Sequence, residues 1–174
     1  MSRYILIALM LAQTVNAQDH EHHADGEQKI ERPKILLDKS ARIVEYQLKR
    51  LDNARLLLVE TATDDPKYAP VFKAILLRPG LSRQNREQSL NGLVAINDTD
   101  TATELLAALE SLNDEDKDQQ RVGRQMSGIL LTHSKEVLAA RTDDLQKAMT
   151  ADSSVLRATG YAGLVVAGQA AASW

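Results

Sequence analysis

Three short segments of this chain read alike: Leu90-Asn91-Gly92-Leu93-Val94, Met126-Ser127-Gly128-Ile129-Leu130 and Tyr161-Ala162-Gly163-Leu164-Val165. Their glycines stand 36 and 35 residues apart. Each lies in an apolar pattern of helical period, where glycine costs roughly 1 kcal/mol relative to alanine, so three in register predict a shared need for close helix packing. In the helices that precede them, Ala74, Ala107 and Ala139 recur at spacings of 33 and 32. A unit of two helices leaves one face unburied, and laying such units side by side makes a continuous core. The competing arrangement is a helical bundle whose small residues coincide by chance.

Composition agrees with helices. Of the 174 residues 44% are hydrophobic, 26% charged and only 3% aromatic, with few Gly and Pro, a balance that favours helix over a sheet rich in β-branched and aromatic side chains. The formal charge of -3, from 21 basic and 24 acidic residues, provides no field that would gather nucleic acid. The absence of Cys excludes disulfides, thiolate metal sites, a lipidated N-terminal Cys and covalently attached haem from the sequence given.

The first 17 residues read as a signal peptide, with Arg3 as the positive region, Tyr4 to Ala12 as the apolar run and Val15-Asn16-Ala17 as the cleavage site. The apolar run falls short of the roughly 20 residues a stable span needs, so no membrane insertion is expected after cleavage and the location is periplasmic or secreted. Residues 18–32 begin a polar, His-rich stretch (QDHEHHADGEQK) without apolar period, expected to be disordered. A helical-repeat domain is expected over 33–174.

Within that domain, Ser40 is expected to cap a helix with Ile43, Val44, Leu48 and Leu51 inward, and Asp52-Asn53 opens a second short one. Asp65-Pro66 starts a third helix that ends at Arg78-Pro79-Gly80, and Ser82 caps a fourth. Further helices are predicted at about Thr101 to Leu112, Glu115 to Thr132, Lys135 to Met149 with a break at Thr142-Asp143, and Ser154 to Val166. The expected fold is all-α: an α-solenoid of stacked antiparallel hairpins, HEAT-like, of about seven or eight helices.

The stretches Leu37-Asp38-Lys39-Ser40, RIVEYQLKRL from Arg42, RLLLVE from Arg55 and above all TDDPKYAPVFKAILLRPGLSRQNRE from Thr63 to Glu87 resemble the HEAT-repeat region of large exported planctomycete-type proteins. That resemblance covers most of the expected mature chain. It implies a helical region joined to a haem c or blue-copper domain in periplasmic electron transfer, but carries no functional residue across, because Cys-x-x-Cys-His and the Cys of a copper site are absent. The ending at Ala170-Ala171-Ala172-Ser173-Trp174, directly after an apolar helix and without a polar cap, predicts a truncated array with any such haem or copper domain downstream.

Two constellations have chemical potential. Cleavage after Ala17 would expose the amine of Gln18, followed by Asp19, His20, His22 and His23; an amine, two amides and one imidazole form the square-planar nitrogen set that Cu(II) or Ni(II) prefers, and the neighbouring imidazoles could hold Zn. The bland alternative is a polar spacer. The second is a row of arginines: Arg86 and Arg157 each precede a repeat glycine by six residues, Arg121 and Arg124 bracket the equivalent place, and Arg83 lies beside them. Aligned by stacking, these guanidinium forks could bind carboxylates on a protein partner or a linked downstream domain; as a solvated face they would pair internally with Glu87 or Asp118. The acidic groups Asp64-Asp65, Asp98, Asp100, Asp114-Glu115-Asp116 and Asp143-Asp144 fall at predicted helix starts and are read as caps. His133, at a predicted helix end, forms no Ser-His-Asp pattern.

The leading expectation is a non-catalytic exported scaffold or protein-interaction module, within a larger periplasmic electron-transfer protein. The alternative is a small periplasmic metal-binding protein that uses the His-rich tail for Cu, Ni or Zn. A third is an enzyme whose site forms from dispersed polar residues.

Overall fold

A computed structural model describes residues 31–169, and every regular element among them is helical. Nine α-helices follow in order: α1 Ala41–Lys49, α2 Asn53–Leu57, α3 Ala69–Leu77, α4 Arg83–Asn97, α5 Thr101–Glu110, α6 Lys117–Leu130, α7 Lys135–Ala139, α8 Thr142–Met149 and α9 Ser154–Val166. A single 3-10 turn, Pro66–Tyr68, leads into α3. The all-α expectation holds, with nine helices among the described residues where about seven or eight were expected.

The starts are set by side-chain caps. Asp52, Asp65, Ser82, Asp100, Asp116, Ser134 and Ser153 each accept a backbone N–H of the turn they open, satisfying donors that no carbonyl can reach. Ser40 precedes α1 but its hydroxyl makes no cap bond. Asp98 departs from its expected role: it closes α4 in the left-handed conformation (φ 50°) instead of opening α5, a conformation that Asp and Asn tolerate better than most residues. Gly80, at φ 79°, makes the reversal between α3 and α4 that a residue with a Cβ would strain.

Helix α3 divides the core. Its Val71 and Ile75 join Val44, Leu48, Leu56, Val59 and Leu81 in an N-terminal cluster, while Phe72 and Leu76, one position on, face the larger cluster that runs through Leu90, Leu105, Met126, Leu145 and Leu164. Residues four apart share a helix face and residues one apart do not, so one short helix serves both sides. The principal contacts join helices of one hairpin (α3 with α4, α5 with α6, α8 with α9) or of hairpins consecutive in sequence (α1 with α3, α4 with α5, α6 with α9). The break predicted at Thr142-Asp143 falls two residues earlier, at Ala140-Arg141 between α7 and α8, and Thr142 and Asp143 open α8.

Packing corrects the glycine register. A Cβ on Gly92 would come within 2.5 Å of the Phe72 ring, and one on Gly163 within 2.6 Å of Leu145 Cδ2. At Gly128 nothing lies within 4 Å, so the third member of the sequence triplet has no steric reason to be glycine. Counting from the caps shows why. Gly92 and Gly163 are ten residues beyond Ser82 and Ser153, but the residue ten beyond Asp116 is Met126, fully buried. Seven residues beyond the three caps stand Ser89, Gly123 and Gly160, all buried. A Cβ on Gly160 would meet the Leu145 carbonyl oxygen at 2.6 Å, and one on Gly123 would meet Val155 Cγ1 at 2.9 Å. The position that must be small in all three helices is therefore this one. Ala107 is exposed rather than in the apolar setting expected of it, and Ile43, expected inward, is 47% exposed.

Candidate functional site

Arg86, Gln120 and Arg157 stand four residues after the caps Ser82, Asp116 and Ser153. Each turns back into the connection of its own hairpin. Arg86 donates from Nη1 to the Leu76 carbonyl and from Nη2 to the Arg78 carbonyl at 2.7 Å. Gln120 Nε2 donates to the Asp114 carbonyl, and Arg157 Nη1 donates to the carbonyls of Ala151 and Asp152, both at 2.7 Å. Carbonyls at a helix end lack intrahelical donors and carry the negative end of the helix dipole, so a donor, and best a cation, is wanted there.

The structure thus divides the arginines that the sequence placed in one row. Arg86 is fully buried; burial pulls its pKa below the usual guanidinium value, and its remaining contact is Nε to Gln125 Oε1 at 3.0 Å on the next hairpin. Arg86 therefore presents nothing to a partner. Its equivalent in the row is Gln120, which sequence reading passed over for Arg121 and Arg124; counting from the N-caps instead of from the glycines would have found it. Arg83 pairs with Glu87 at 2.7 Å and Arg121 with Asp118 at 3.3 Å, both on the surface. Arg124 and Arg157 are also exposed.

Bonds between hairpins show a second regularity. Asn53 Nδ2 donates to the Pro79 carbonyl at 3.0 Å and Arg78 Nη2 to the Leu48 carbonyl at 2.7 Å. Ser127 and Thr159 share a hydroxyl contact, and Thr159, though polar, is buried. Farther along, Asp100 pairs with Arg141, and Asp114 accepts from Ser153 Oγ and Ser154 Oγ at 2.8 Å each and from the Ser154 backbone N–H. These two aspartates hold the start of α5 to the start of α8, and the segment after α5 to the segment after α8. The two helices therefore run in the same direction.

The remaining acidic groups behave as structural pieces. Hydrogen bonds from Gln119 and Asp118 hold the Asp116 carboxyl below its usual value of 3.8. Asp143 and Asp144 lie in the first turn of α8, where no side-chain cap bond forms. His133 Nδ1 lies 3.2 and 3.0 Å from the carbonyls of Ile129 and Leu130 at the end of α6, to which only a protonated nitrogen can donate. Among the described residues no group of three His, Cys, Asp or Glu is placed to hold a metal ion, and no helix is long and apolar enough to cross a membrane. Gln18, Asp19, His20, His22 and His23 lie outside the described residues, as do the signal peptide and Trp174.

The exposed large apolar side chains fall in two stretches of the described sequence, 36–57 and 137–166. In the first are Leu36, Ile43, Tyr46 at 59% exposure, and Leu57; in the second are Val137, Tyr161 at 45%, Val165 and Val166. Tyr46 is held ready-shaped: Arg50 Nη1 donates to its hydroxyl at 2.6 Å, and the guanidinium carbon lies 5.4 Å from the ring centroid. Arg50 also borders a shallow open groove with Pro33, Lys34, Gln47, Leu51 and Arg55. Three of its lining side chains, Lys34, Arg50 and Arg55, are cations.

No protein-family model, no curated protein and no solved structure matches this chain.

Proposed function

We propose that this chain is a non-catalytic, exported helical-repeat scaffold, a HEAT-like solenoid whose ends engage protein, within a larger periplasmic electron-transfer protein. The observation that carries the interaction reading is the pair of stretches with exposed apolar side chains, each containing a surface tyrosine, Tyr46 and Tyr161. Tyrosine is enriched where proteins meet because it offers a large contact area with little side-chain entropy to lose. The solenoid reading is supported by the principal contacts, which join helices within a hairpin or in consecutive hairpins, by the recurring clamp four residues after Ser82, Asp116 and Ser153, and by the common direction of α5 and α8. Export and the electron-transfer setting rest on the leader and on the sequence resemblance.

Site-specific photo-crosslinking in the producing cell tests the interaction. A photoreactive residue at position 46 or 161 is expected to give a discrete protein adduct, whereas one at exposed Lys73 or Glu110 on the helix faces gives none. Adducts of equal yield at all four positions, or at none, would overturn the reading.

A further inference from the structure

We propose that the joint between the α5/α6 hairpin and helices α7 to α9 is an acid-releasable latch, in which protonation of Asp100 and Asp114 loosens the three C-terminal helices while the joints upstream stay closed. The argument begins from what crosses each joint. Between α1/α2 and α3/α4 the crossing side-chain bonds run from Asn53 and Arg78 to backbone carbonyls, and between α3/α4 and α5/α6 from Arg86 to the amide oxygen of Gln125. None of these acceptors titrates in acid; a carboxylate acceptor at the second joint, Glu104, is bonded by Asn97 and Thr99 across the short α4–α5 turn, where the chain connection itself holds the two helices together. At the third joint two acceptors are carboxylates, placed at opposite ends of α5. Among the ion pairs of the described residues, Asp100–Arg141 is also the one that joins separate hairpins.

Asp114 is the more exacting of the two. Its Oδ1 accepts from Ser153 Oγ, and its Oδ2 from both the hydroxyl and the backbone N–H of Ser154. A protonated carboxyl would aim an O–H at donors, and the Ser154 N–H cannot accept it. The charged groups nearby leave this carboxylate to the serines: Arg157 is turned to the Ala151 and Asp152 carbonyls, Asp116 caps its own helix, and no basic group lies within 4 Å of Asp114 among the described residues. At the other end Asp100 faces Arg141, which Asp144 shares at 3.7 Å, while Glu104 on its own helix is engaged by Asn97 and Thr99.

The direction follows from the titration of both groups. Burial would raise the Asp114 carboxyl, but the bonds from Ser153 and Ser154 outweigh it and hold the group below 3.8. Burial likewise opposes the bonds from Thr103 and Ala102 and the charge of Arg141 at Asp100, which also ends below 3.8. A carboxyl depressed in the folded state stabilises it above the unfolded value and loses that contribution as pH falls through the folded one. The latch is therefore closed at neutral pH and opens in the acid range, from the ordinary carboxylate value downward.

Amide hydrogen exchange of the full chain, expressed as protection factors so that intrinsic rates cancel, reads each joint separately. Between about pH 6.5 and about pH 3, protection in α7 to α9 is expected to fall by at least roughly tenfold relative to α1 to α4, the equilibrium change that one charge-assisted hydrogen bond carries. The variant Asp100→Asn/Asp114→Asn should show low α7–α9 protection already at neutral pH, with no further step on acidification. A uniform fall along the chain, or a wild-type step in the double variant, would overturn the latch. Should the double variant not fold, Asp114→Asn alone must lower protection of α8 and α9 at neutral pH and leave α3 and α4 unchanged; unaltered protection would overturn it equally.

Discussion

Arg86 Nη2 donates to the carbonyl oxygen of Arg78 at 2.7 Å from a side chain with no exposure to solvent. The guanidinium closes the end of α3, and through Gln125 it also reaches the next hairpin. Replacing it by alanine strands the Leu76 and Arg78 carbonyls and leaves a cavity, so Arg86→Ala should destabilise by about 2–4 kcal/mol. Arg86→Lys should not rescue this, because a single ammonium cannot span the two carbonyls as a planar fork does. Arg157→Ala, at the equivalent but exposed position, should cost less than about 1 kcal/mol. Urea midpoints of the three variants test this order, and equal midpoints would show that burial of the clamp is immaterial.

The glycines should separate by what their hydrogens face. Gly128→Ala is expected to stabilise by roughly 0.5–1 kcal/mol, since open space lies beside it and alanine favours helix. Gly160→Ala should destabilise by about 2 kcal/mol or more, because the added Cβ meets the Leu145 backbone, which cannot swing away. Gly163→Ala should fall between them, as the obstacle is the flexible end of Leu145. Melting temperatures give the ranking, and a destabilised Gly128→Ala would restore that residue to the packing role its sequence register suggested.

Acid stability should report the aspartates. With Asp100 and Asp114 both held below 3.8 when folded, unfolding free energy should change little between about pH 7 and 5 and decline below about pH 4. Removing both carboxylates should flatten that decline. Denaturant melts at several pH values measure it, and an undiminished slope in the double variant would assign the acid sensitivity to other groups.

The mature N-terminus offers a metal test that is independent of the folded region. If cleavage follows Ala17, one equivalent of Cu(II) should give the visible band of a square-planar nitrogen site, lost in His20→Ala. An unchanged spectrum on mutation would leave the histidines as a spacer, and cyclisation of Gln18 would abolish the site by removing its amine.

Much of the secondary structure was legible because its causes are local. Ser82, Asp100 and the short polar connections announce their helices within a few residues, since capping groups and the 3.6-residue period act on neighbouring backbone. Tertiary structure alone decided which small residues matter. Gly92, Gly128 and Gly163 are indistinguishable along the chain, but whether a Cβ fits depends on Phe72, Leu145 or empty space brought there from another helix. It also decided the fate of the arginines: sequence placed Arg86 and Arg157 at equivalent positions, and they are equivalent, yet one is sealed inside and the other wet, because burial is a property of the surfaces that close over a side chain. For the same reason Asp114 read as a cap of its own helix and proved to hold the start of α9, 39 and 40 residues away.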